Sequence, residues 1–127
     1  MNVNLQLAVM RSAREYLSTL ENWSINGPGV WTSEGLTQVC AMQAPYRILQ
    51  QMGSYEIGHK TILKDIFDTL GKACYLLYGH PWVTYINDDK DVIGVFRWVK
   101  VLAIYDEAIK LTENQRKIRS LQAIYGR

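Results

Sequence analysis

Between Trp82 and Asp91 the chain reads Trp-Val-Thr-Tyr-Ile-Asn-Asp-Asp-Lys-Asp, so two large aromatics, an amide and three carboxylates fall within ten residues. The rings of Trp82 and Tyr85 are suited to stacking on a planar ligand or to anchoring a partner protein. Asn87, Asp88 and Asp89 follow at once with polar groups that would orient whatever the rings hold. Trp31, after the Gly27-Pro28-Gly29 turn, is a second junction ring that a stack would draw on.

Metal chemistry fits this stretch poorly. The Asn87-x-Asp89-x-Asp91 spacing opens like a calcium loop, but such a loop needs glycine at its sixth position and glutamate at its twelfth. Val92 and Trp98 stand there. Glu56-x-x-His59 has the spacing of carboxylate-bridged metal bundles, which need two such motifs and further glutamates. One copy is present. No metal and no cofactor are therefore expected.

Covalent and nucleotide-dependent chemistry lack their motifs as well. There is no Gly-x-Ser-x-Gly, no Walker loop and no dinucleotide glycine fingerprint. Cys40 and Cys74 lie in separate segments without CxxC spacing and read as buried free thiols. Cys40 has no activating base near it in sequence, and His80 precedes a proline in what reads as a turn.

Composition bounds the rest. The 127 residues are 48% hydrophobic and 20% charged, which suits one globular domain with a real core. A net charge of +2 gives no general attraction to nucleic acid. The start mixes Asn and Gln into its apolar residues, so no signal peptide is expected, and Met1-Asn2 argues against myristoylation. No apolar run approaches membrane-spanning length. A cytoplasmic protein without membrane attachment is the expectation.

Helices must position these residues. Leu5, Ala8, Val9, Ser12, Ala13, Tyr16, Leu17 and Leu20 recur at helical spacing within 4–22, and Trp23 and Ile25 should tuck the following turn inward. A helix opened by Thr32 or Ser33 would bury Leu36, Val39, Cys40 and Gln43, break near Pro45 and resume over 46–52. Lys60–Tyr78 gives the cleanest amphipathic pattern, ended by Gly79-His80-Pro81. After capping by Asp88, Asp89 or Asp91, a helix over 92–111 should turn Val92, Val95, Phe96, Val99, Leu102, Ala103 and Ile109 inward. Thr112-Glu113-Asn114-Gln115 reads as a capping box for a last helix through Ile124, a continuous but bent helix being the alternative.

The fold expected is thus a mainly α, single-domain bundle of four to five helices over residues 1–127, with room for a short two-stranded β element. Val30–Thr32 and Val83–Ile86 have the residues to pair as those strands. Trp31, Trp82 and Asn87 should then meet at one end of the helical layer. The 92–111 helix carries a second apolar stripe through Trp98, Val101 and Tyr105, more than one small domain readily covers, so a homodimer is expected.

The order Trp31-Thr32, Gly35, Cys40, Trp82, Asn87-Asp88 and Ala108-Ile109 resembles an uncharacterised family of small bacterial and phage domains. The likeness spans about two thirds of the chain. It departs at Met42-Gln43, where the family has a glycine, and in the four residues separating Trp82 from Asn87. The resemblance implies a domain outline and no activity. Size, absent catalytic motifs and junction aromatics favour a non-catalytic protein-interaction module, such as a phage-type inhibitor or regulator acting by occlusion. The alternative is a small enzyme or sequestering domain for a nucleotide or similar planar metabolite, held by Trp31, Trp82 or Tyr85 with Asp88 or Asp89.

Overall fold

The structure, a computed structural model, describes residues 3–24, 31–32, 35–36, 38–53 and 57–126, the side chains of 31, 32, 35, 36 and 57–59 excepted. The described chain is mainly helical: α1 (Val3–Leu17), a 3-10 turn (Leu20–Asn22), α2 (Ala44–Gln51), α3 (Ile57–Tyr78), α4 (Val83–Asp88) and α5 (Gly94–Tyr125). Two-residue segments β1 (Trp31–Thr32) and β2 (Gly35–Leu36) face each other antiparallel.

α1 buries Val3, Leu7, Met10, Ala13 and Leu17 along one face, each at three- or four-residue steps. Against it lie α2 and, antiparallel, the middle of α5. α5 turns inward Arg97, Val101, Ile104, Tyr105, Ala108 and Thr112. α3 closes the third side with Ile66, Leu70, Ala73 and Cys74. These side chains belong to one core cluster, and each large one stabilises the fold by about 1.5–3 kcal/mol relative to exposure.

Polar links then set helix positions that apolar packing leaves loose. The Trp98 indole donates to the Leu17 carbonyl at 2.7 Å, occupying an acceptor at the end of α1 that has no helical partner. The Asn22 side-chain amide donates to the Tyr16 carbonyl at 3.0 Å, which also accepts from the Thr19 amide at 3.4 Å. The fully buried Tyr105 hydroxyl donates to the Ala41 carbonyl at 2.6 Å. On the surface Arg14 pairs with Asp106 at 2.9 Å and Arg11 with Glu113, contacts of small net worth individually.

Several expectations are corrected. The expected helix over 33–43 is not formed where the chain is described: Val39 is buried on extended backbone, its amide donating to Asn22 and its carbonyl accepting from Ser24, both at 2.9 Å. Pro45 instead sits in the first turn of α2, where a missing amide donor costs nothing. Val83–Ile86 is helical, so its pairing with Val30–Thr32 does not occur. Val83, Ile86 and Asn87 are buried at i, i+3 and i+4, a helical period inside a β-rich composition. Ile25, Val30 and Glu56 lie outside the described residues.

α5 also departs from expectation. It begins at Gly94 after an uncapped Ile93, so none of the three aspartates is its N-cap. It continues for 32 residues with no separate last helix; the Thr112 hydroxyl donates back to Ala108 at 2.9 Å inside it. Of the stripe expected inward, Val95, Phe96 and Val99 are exposed and Leu102 and Ile109 are partly buried against the core, while the fully buried side runs through Val101, Ile104 and Tyr105. No helix among the described residues is long and apolar enough to cross a membrane.

Two outcomes follow from this packing. A Cβ added at Gly71 would meet Pro81 at 3.5 and 3.8 Å, ordinary contact distances, so the glycine is not required by space. Gly71→Ala should raise stability by about 1 kcal/mol in denaturant titration. Burial pushes Tyr105 well above its ordinary value near 10, with the Cys40 charge adding to the effect, and burial first also raises Cys40, Cys74 and Tyr78. The folded state therefore holds protons that the unfolded chain releases at about pH 9–10. Stability is full below that range and falls as pH rises through it. Tyr105→Phe should make the alkaline loss shallower while costing about 1 kcal/mol at pH 7.

Candidate functional site

Asn87 is the most fully engaged side chain at the junction, and it is completely buried. Its Oδ1 accepts from the Trp23 indole at 2.7 Å and from the Ala41 amide at 2.9 Å. Its Nδ2 donates to the Ser24 carbonyl at 3.1 Å and to Asp88 Oδ1 at 2.8 Å. Both acceptor positions and both donors of the amide are thus used. Its backbone carbonyl accepts from the buried Arg97 guanidinium at 3.5 Å. With no surface left, Asn87 cannot be a contact for a ligand or partner. It is an internal clasp.

The indole it holds is Trp23 and not Trp82. Trp23 is 3% exposed, whereas Trp82 is 66% exposed and sits on the outside of the turn between α3 and α4. The expected meeting of Trp31, Trp82 and Asn87 is therefore corrected for Trp82, and the Trp31 side chain lies outside the described residues. α4 explains the separation. Its buried face carries Val83, Ile86 and Asn87 inward, which leaves Trp82 and Tyr85 on the far side.

There the rings form a small cluster around His80. The imidazole stacks on Trp82 with centroids 5.5 Å apart and planes 26° apart, and meets Tyr85 edge-on at 5.2 Å. The Trp82 amide donates to His80 Nδ1 at 3.3 Å, so the turn itself orients the imidazole. Trp82 then continues onto α3, lining an open groove of about 800 Å³ together with Phe67, Tyr75 and Leu76 of that helix, Pro81 and Leu111. Asp68 and Lys72 are the charged residues of its lining. Positive φ of 80° at Gly79 makes the sharp exit from α3 that brings Pro81 and Trp82 back over this helix.

The remaining candidates serve the turn. Asp88 is bonded to Asn87, and Asp89 Oδ1 accepts the Asp91 amide at 3.0 Å ahead of α5. No group of three or more His, Cys, Asp or Glu able to hold a metal occurs among the described residues. Glu56 and the His59 side chain lie outside those residues. Cys40 and Cys74 are free thiols. Desolvation raises both, opposite to the lowering that an activated thiolate requires.

Sequence reasoning missed Tyr75, Leu76, Phe67 and Lys72 as site residues. For Tyr75 and Leu76 the signal was present, because they fall off the apolar stripe of α3, whereas Phe67 lies on that stripe. Trp23 as the partner of Asn87 had no such signal across 64 residues of chain. No protein-family model, curated protein or solved structure matches this chain.

The two tryptophans separate cleanly by mutation. Trp23→Ala should cost about 3–5 kcal/mol, and Asn87→Ala on the order of 3 kcal/mol, since it strands a buried indole N–H and a buried amide. Trp82→Ala should change stability by less than about 0.5 kcal/mol. Equilibrium urea unfolding of the three variants checks the order.

Proposed function

We propose that the protein is a non-catalytic interaction module whose working surface is the groove between α3 and the Pro81–Trp82 turn. The observation that carries this reading is the exposure of Trp82, Tyr75 and Leu76, at 66%, 60% and 62%, side by side around a concave apolar surface. Exposed aromatics around a groove are the usual anchors of protein recognition. The groove is elongated along a helix and open to solvent, which suits an apolar segment of a partner protein. Lys72 and Asp68, the latter also paired with Lys64 at 3.1 Å, supply charges of both signs in its lining to orient that segment. Occlusion of a partner's own binding surface, as by a phage-type inhibitor or regulator, needs nothing more than such a contact.

A second reading has its own observation. His80 already stacks on Trp82 and abuts Tyr85, so the outer indole face offers a platform of the kind that receives a nucleobase or similar planar metabolite. In that case the protein sequesters or acts on a small molecule, in the cytoplasm or wherever it meets one.

The two readings part in one pair of measurements. For a protein partner recovered by affinity capture with the whole chain, Trp82→Ala should weaken binding about 30-fold or more, the loss typical of an aromatic hot spot. For a planar ligand, a nucleotide at about 100 times its Kd should add about 2.7 kcal/mol and raise the melting temperature by roughly 10 °C. A reproducible nucleotide shift with no captured protein reverses the order of the readings.

A further inference from the structure

We infer that the outer face of α5 is a self-complementary seam on which a second copy of this chain docks antiparallel. The inference goes beyond the groove reading and does not rest on it. At about 100° per residue, Phe96, Val99, Ala103, Glu107, Asn114, Ile118, Leu121 and Tyr125 fall within about 100° of arc, on the side of α5 turned away from its buried stripe. Phe96 is 59% exposed, Val99 51%, Ile118 55%, Leu121 54% and Tyr125 81%. α1 and α3 flank this arc without covering it: Arg11 and Arg14 hold Glu113 and Asp106 on one side, and Tyr78 reaches the Lys100 carbonyl on the other. Because α5 runs on without a turn, its own end cannot fold back over Phe96 and Val99.

The occupant follows from the order of residues along the face. It is mainly apolar at both ends, with Lys100 at the border of one, and polar in the middle, and the two ends are equidistant from a point between Lys110 and Leu111. An antiparallel two-fold axis there sets Phe96 opposite Tyr125 of the second copy, Val99 opposite Leu121, and the small Ala103 opposite the large Ile118. In the polar middle, Glu107 meets Asn114 and lies between Lys110 and Lys117 of the second copy, opposite in charge to both, which offsets the approach of the two Lys110 side chains at the axis. A face repeated by its own reverse is what an isologous dimer requires. The exposed apolar side chains, Ile124 included, present on the order of 700 Å², close to the about 800 Å² per partner of a stable interface.

Cysteine cross-linking of the full chain under mild oxidation tests both the dimer and its direction. Lys110→Cys, beside the axis, should give a covalent dimer in high yield, and wild type should not. Leu121→Cys alone should fail to link, whereas a mixture with Val99→Cys should give the mixed dimer. Self-linking by Leu121→Cys in preference to Lys110→Cys would mean parallel tails and overturns the proposal. In light scattering, Val99→Glu with Leu121→Glu should convert the dimer mass to a monomer mass with helical circular dichroism retained. A wild-type mass that stays monomeric on raising concentration tenfold from micromolar overturns it equally, as does a dimer that survives both glutamates.

Discussion

The four hydrogen bonds of the Asn87 amide are the constraint on which the junction depends. They join α4 to the segment after α1, through Trp23 and Ser24, and to the approach to α2, through Ala41. Ala41 in turn holds the Tyr105 hydroxyl from α5. One side chain and its neighbour thus tie segments more than forty residues apart without any long regular sheet. In a dry interior each unmade bond would leave a polar group unsatisfied, so the arrangement has few near alternatives. Apolar contacts press the helices together, but they slide over one another at small cost. Directional bonds remove that freedom.

Fixing α4 in this way has a consequence for the surface. A six-residue helix has two sides, and once Val83, Ile86 and Asn87 are committed inward, Trp82 and Tyr85 have nowhere to go but outward. His80 wedges between them, and Gly79 supplies the backbone turn that sets the group beside α3. The buried clasp and the exposed aromatic groove are therefore two sides of one short element. The same division marks α5, where a core stripe ending at Thr112 runs along one side and an exposed apolar face along the other.

The existence of the long helices was legible because their periodicity is strong, and the end of α3 because Gly79-His80-Pro81 follows it. α3 ends at Tyr78 as expected, and α1 begins within a residue of expectation but ends at Leu17 instead of Asn22, while α5 runs on to Tyr125. Short elements were less legible. Val83-Thr84-Tyr85-Ile86 has the composition of a strand, yet the pull of burying Val83, Ile86 and Asn87 together makes it a helix, a tertiary preference stronger than a local one. Residues near Val39 have a helical apolar pattern, but bonding to Asn22 and Ser24 holds that backbone extended.

The sequence by itself determined a mainly helical chain, the stops at Gly53 and Gly79, and the concentration of chemistry-bearing residues around Trp82–Asp91. These depend on period, backbone freedom and residue type, all properties of neighbours along the chain. Only the tertiary structure decided which tryptophan meets Asn87, and which stripe of α5 is core. Trp23 and Trp82 are equally hydrophobic, and α5 offers apolar residues on both sides. Period alone cannot rank them. The choice is made where α1 and α3 close on the Tyr105 side, because only there do the buried hydroxyl and the buried amide both find partners.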